Sequence, residues 1–151
     1  MQKIKIFSFF SGCGFLDLGF ENIGFEVVFV NENFSPFMTA YRYAPQLLEI
    51  SEPEYGYLED DLVYLTGENG KTNLQELVKD APRNSDFVGF IGRPPCPDFS
   101  VGGKNRRKNG ENGKLSDAYI ELICQQKSDF FVFEQDLRIL LAKKLYIPLV
   151  L

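Results

Sequence analysis

Histidine and tryptophan are absent from these 151 residues, and cysteine occurs three times, at Cys13, Cys96 and Cys124. Without His or a Cys-x-x-Cys pair there is no zinc-site spacing, and an odd number of distant cysteines makes no disulfide framework. The thiols are expected to be free. No run of about 18 apolar residues occurs, as a membrane-spanning helix would need, and Met1 to Ile4 lead straight into a strand instead of a signal-peptide apolar region. The expected location is the cytoplasm, with no membrane contact. Repeats and low-complexity segments are missing as well. So is an excess of positive charge: the net charge is −5, which over the whole chain argues against a nucleic-acid binder. What is present suffices for one domain, residues 1–151, with 44% apolar residues and 15 Phe to fill a core.

The most constrained stretch is Gly92-Arg93-Pro94-Pro95-Cys96-Pro97-Asp98-Phe99-Ser100. It follows an apolar strand candidate, Asp86 to Ile91. Its prolines fix φ and push the residues before them out of the helical region. Cys96 is therefore expected on a pre-shaped loop at the carboxyl end of a strand, where open α/β sheets carry their chemistry. Taken alone, the stretch is equally a Pro-rich turn holding a small apolar Cys. Downstream, Arg93 to Lys114 hold six basic residues (Arg93, Lys104, Arg106, Arg107, Lys108, Lys114) against two acids, Asp98 and Glu111. A solvated loop accounts for such a run; beside a cysteine of this kind, phosphate contact becomes the better reading.

A second strand, Ile4 to Phe10, runs into Ser11-Gly12-Cys13-Gly14-Phe15 and then an amphipathic segment, Leu16 to Ile23, with Leu16, Phe20 and Ile23 inward. Strand, glycine turn and helix together suit a nucleotide-like ligand, because the glycines admit close backbone approach and the helix start offers N–H groups. Glu26 to Val30 form the next strand, and Glu32 stands past its end, about twenty residues after the glycine loop. There it either accepts from ribose hydroxyls or caps the helix opened by Ser35-Pro36. Phe37 to Tyr43 read as a short helix, followed by an aperiodic stretch to Tyr57, and Asn73 to Lys79 as another helix. Ser116-Asp117 read as the cap of a helix whose face carries Tyr119, Ile120, Ile123 and Cys124, which would put Cys124 in the core. Phe130 to Phe133 have the continuous apolarity of a buried parallel strand, with Glu134 at its end. Gln135 to Leu145 read as a helix and Tyr146 to Leu151 as the start of a strand. Alternating strands and helices with motifs in the βα loops predict an α/β fold, a doubly wound and mostly parallel sheet.

In order, Phe10-Ser11-Gly12-Cys13-Gly14, Pro94-Pro95-Cys96 with Phe99-Ser100, and Glu134 resemble the motifs of the cytosine carbon-5 DNA methyltransferases. The resemblance covers nearly the whole chain. Three positions depart from the family pattern: Phe15 replaces the second glycine of a pair, Pro97 replaces Gln, and Gln135-Asp136 replace Asn-Val. The resemblance implies a Rossmann-like methyltransferase that uses S-adenosylmethionine, held by Phe10, Gly12, Gly14, Glu32 and Asp61, the last taken from Glu59-Asp60-Asp61-Leu62. It implies Cys96 as the nucleophile and Glu134 as the acid. Pro95, Ser100, Lys104, Arg106 and Arg107 are assigned to double-stranded DNA. The family's target-recognition and C-terminal motifs are not found, so the expectation is a truncated or split enzyme of a restriction-modification system, partnered by a second polypeptide. A non-catalytic regulatory fragment and an RNA cytosine-5 methyltransferase are the alternative readings.

Overall fold

A computed structural model describes residues 3–95 and 111–134. Cys96, Pro97, Ser100, Lys104, Arg106, Arg107 and everything expected of Gln135 to Leu151 lie outside the described residues. Five parallel strands form one sheet in the order β3-β2-β1-β4-β5. They are β1 (Ile4–Phe9), β2 (Glu26–Asn31), β3 (Tyr57–Leu58), β4 (Phe87–Gly92) and β5 (Phe130–Phe133), with helices α1 (Phe15–Glu21), α2 (Ser35–Leu48), α3 (Leu62–Thr66), α4 (Glu68–Asp80) and α5 (Glu111–Gln126) between them. From β1 the chain first builds outward through β2 and β3. It then returns to β1's other edge as β4. The order reverses between β1 and β4, and ligands of open α/β sheets lie at such a switch point.

Alternation along β1 sorts its side chains onto the two sheet faces. Phe7 and Phe9 join Phe29, Phe90, Leu62, Leu74, Tyr119 and Leu122 in one cluster, under α3, α4 and α5. Ile6 joins Val27, Val30, Met38, Tyr41 and Ile91 in the other, under α1 and α2. The first cluster is an aromatic lattice: Phe9 lies 5.1 Å from Phe90 and 5.6 Å from Tyr119, centroid to centroid, in tilted pairs. Such pairs add about 0.5–1.5 kcal/mol each beyond area burial, which is where much of the phenylalanine goes. Lys5 is buried in β1, where Glu54 accepts its ammonium at 2.6 Å. Among the described residues no helix is long and apolar enough to cross a membrane.

Several local expectations need correction. The helix expected over Phe37 to Tyr43 runs from Ser35 to Leu48 through Pro45. Pro45 lies three residues from the helix end and is buried, so apolar packing offsets the one missing N–H. Helix α5 begins before Ser116, which is fully buried within it instead of capping it. Its inward face is Ser116, Tyr119, Leu122 and Gln126; Cys124 falls on the opposite side and is exposed, not core. Ile23, placed inward by periodicity, is 68% exposed because α1 has ended at Glu21.

Candidate active site

Each strand's carboxyl end leads into a candidate residue. The glycine loop follows β1, Glu32 follows β2, Asp61 follows β3, Arg93-Pro94-Pro95 follow β4 and Glu134 follows β5. Parallel pairing puts all of these on one edge of the sheet. Backbone hydrogen bonds stitch that edge together: Ser11 N–H donates to Asn31 O at 3.2 Å, Arg93 N–H to Phe9 O at 3.4 Å and Glu134 N–H to Gly92 O at 3.0 Å.

The glycine loop is shaped by three positive φ angles: Phe10 at 51°, Gly12 at 58° and Gly14 at 86°. A phenylalanine there costs on the order of 1 kcal/mol; its ring is held edge-on to Tyr119 at 6.1 Å. Glu32 braces the loop. It is nearly buried, and one carboxylate oxygen accepts from Gly12 N–H at 2.9 Å while the other accepts from Phe34 N–H at 2.8 Å. Each oxygen keeps a second lone pair, so the carboxylate can accept hydroxyl donors as well. Asp61 caps α3, accepting from Val63 N–H at 2.9 Å. Asn31 anchors that edge by donating to Leu58 O and Asp60 O. At seven residues, α1 lends the loop little macrodipole.

Arg93 was expected among the phosphate-binding cations. Instead its Nε lies 2.6 Å from Glu134 Oε2, an ion pair across the ends of β4 and β5. Both groups are partly exposed, so the pair adds little stability. It does hold the Glu134 carboxylate against the end of β4.

Sequence reasoning missed Asp17. In the first turn of α1 it is almost fully buried, accepting from Ser8 Oγ at 2.8 Å and from Tyr41 Oη at 2.7 Å. A carboxylate between Leu16 and Leu18 was the available signal. Burial pushes Asp17 up to about 6, against the two hydroxyl hydrogen bonds that pull it down. An acid raised in the folded state binds its proton more tightly there than in the unfolded chain. Its contribution to stability is therefore present at low pH and lost as pH rises from about 4 to 6, by on the order of 3 kcal/mol. Urea denaturation from pH 4.5 to 7.5 should show this fall, and Asp17→Asn should reduce it. An unchanged slope in that variant would place the titration elsewhere.

The fold defines a class: a Rossmann-like α/β protein of the methyltransferase type. The family described as C-5 cytosine-specific DNA methylase matches residues 4–144, and the chain belongs to it. The Type II methyltransferase M.NmeDI of Neisseria meningitidis serogroup C is 54% identical over 136 residues, covering 88% of this chain and 32% of that protein. M.MthTI of Methanothermobacter thermautotrophicus, also a Type II methyltransferase, is 32% identical over 134 residues, covering 88% of this chain and 34% of the relative. The chain thus spans about a third of the length of these relatives. A solved structure described as a putative DNA modification methyltransferase encoded within an Escherichia coli prophage shares the fold, with TM-score 0.57 at 23% identity over 87% of this chain and 31% of its own.

Proposed function

We propose that this chain is the cofactor-holding and catalytic part of a cytoplasmic DNA cytosine-5 methyltransferase of a restriction-modification system. The observation that carries the reading is the convergence on one sheet edge of a glycine loop braced by Glu32, the Pro94-Pro95 turn that precedes Cys96, and Glu134. These residues fit S-adenosylmethionine. A Cβ at Gly12 would meet nothing within 4 Å, so the loop borders open space. The Ser11 hydroxyl is buried without a hydrogen-bond partner among the described residues, and a polar ligand at the loop would relieve that cost. In this reading the loop backbone from Phe10 to Gly14 receives the cofactor, Glu32 accepts from its ribose hydroxyls and Asp61 from its adenine amino group. When bound, the cofactor supplies an electrophilic methyl group.

The protein's own part is to activate carbon 5 of a cytosine. Attack of the Cys96 thiolate on carbon 6 forms a carbon–sulfur bond and pushes the ring electrons toward carbon 5 and nitrogen 3. Glu134 donates a hydrogen bond or proton at nitrogen 3. To do so it parts from Arg93, which becomes free to meet the backbone phosphate beside the extruded base. The base must leave the stack to come within about 3–3.5 Å of the sulfur. Lys104, Arg106 and Arg107 supply further phosphate contacts, and Pro95 and Ser100 flank the base.

Cofactor binding is the first test. Calorimetry with S-adenosylmethionine is expected to show binding to the chain, and Glu32→Ala to weaken it by about tenfold or more, since a charge-assisted hydrogen bond is worth roughly 1.5–3 kcal/mol. Equal affinity in the variant would remove Glu32 from the site.

A further inference from the structure

Behind the glycine loop a cavity of about 390 Å³ opens between α1 and α2, bordered by Gly14, Leu18, Glu21, Tyr41, Ala44 and Ile50 among others. Its size is that of a small-molecule site, roughly 300–1,000 Å³, and its walls are mostly apolar with few polar groups, as such sites are. It shares Cys13 and Gly14 with the glycine loop, but Glu32, Asp61 and Glu134 at the strand ends take no part in its lining.

The acid on its wall is Glu21. The side chain is half-buried, and among the described residues it makes neither an ion pair nor a hydrogen bond. The groups that face it are Asp17 on its own helix, the Tyr41 hydroxyl on α2 and the Tyr57 hydroxyl on β3. None is basic. Arg42, the nearby cation, is turned to Glu59 and lies over the Tyr57 ring. Burial first and the charge of Asp17 second push Glu21 up to about 7, as expected for a carboxylate with nothing to neutralise it.

We propose that this cavity binds a small lipophilic monocation, an alkyl- or arylammonium whose apolar body lies between α1 and α2 and whose charge meets Glu21. One carboxyl group matches one positive charge. A polycation would find no second acid on the wall, and a nucleobase would find no ordered set of donors and acceptors. The ligand provides what the described residues omit, a counter-charge for Glu21 in an apolar setting where such a pairing is strong.

Hexylammonium and hexanol serve as matched probes, titrated into the full 151-residue chain with methyl-labelled Leu, Ile and Ala followed by NMR. Saturable shifts are expected at Leu18, Ala44 and Ile50, with the amine bound about tenfold tighter than the alcohol at pH 8. That preference should shrink below pH 6, as Glu21 takes up a proton. Glu21→Gln should abolish the preference and leave hexanol binding unchanged, while Ala44→Phe, which fills the cavity, should remove both. S-adenosylhomocysteine, which reports on the cofactor crevice, should not displace the amine. Equal affinities for amine and alcohol, a preference surviving in Glu21→Gln, shifts confined to other residues, or displacement by S-adenosylhomocysteine would each overturn the proposal.

Discussion

Replacing Gly14 by alanine is expected to destabilise the chain by about 2–5 kcal/mol and, through that, to weaken cofactor binding; replacing Gly12 by alanine should weaken binding while costing only the roughly 1–2 kcal/mol of its own positive φ. The two glycines look alike in sequence but face different surroundings. A Cβ on Gly14 would lie 2.8 Å and 2.9 Å from two carbons of the Tyr41 ring. That ring cannot swing aside cheaply, because its hydroxyl is donated to the buried Asp17. Overpacking of this kind costs roughly 1–3 kcal/mol, and a φ of 86° adds about 1–2 kcal/mol for any residue with a Cβ. A methyl on Gly12 would meet no atom within 4 Å, so it would occupy only the space a ligand needs. Denaturation and calorimetry on both variants separate the roles. Gly14→Ala should also cost about 1–3 kcal/mol less in a Tyr41→Leu background than in the native one, the coupling a shared contact produces. Additive losses would mean that Tyr41 does not set the requirement for glycine.

That contrast shows how much of the site could be read from the chain. Strands β1, β2 and β4 announce themselves by mostly apolar runs, and the loops after β1 and β4 by Gly and Pro, because those signals are local. The role of Gly14 is not local: it depends on Tyr41, far along the chain on α2. Asp17 was hidden in the same way, since its donors Ser8 and Tyr41 meet it only once β1, α1 and α2 are packed. β3 has two residues and carries no periodicity at all. For α5, apolar spacing put the buried face near Ile120 and Cys124, but buried Ser116 and Leu122 turn the inward stripe away from Cys124. Arg93 was grouped with the loop cations by sequence proximity. The parallel pairing of β4 and β5 brings it to Glu134 instead.

The second large effect concerns Cys96. DNA carrying 5-fluorocytosine at the target position is expected to become covalently attached to this chain once the portion of the methyltransferase beyond the matched third is supplied, for example from M.NmeDI, of which the match covers 32%. After the thiolate has added to carbon 6 and carbon 5 has taken a methyl group, loss of the carbon 5 proton normally restores the double bond and expels the thiolate; fluorine cannot leave as a cation, so with the methyl donor present the carbon–sulfur bond persists. Cys96→Ala should give no adduct, whereas Cys13→Ala and Cys124→Ala should still give one: Cys13 belongs to the glycine loop and Cys124 to the outer side of α5. Glu134→Gln should slow adduct formation by about 10²–10⁴-fold, the usual scale for losing a positioned acid. The chain by itself should transfer labelled methyl groups to DNA only at background. A displacement of about 1 Å in the reacting groups costs on the order of a hundredfold, and the chain spans only about a third of the length of its relatives. Its loop cations should still give DNA contact that weakens steeply with salt. An adduct mapped to Cys13 or Cys124 would overturn the assignment of the nucleophile, and site-specific methylation by the 151 residues alone would show that positioning needs no more than this sheet edge.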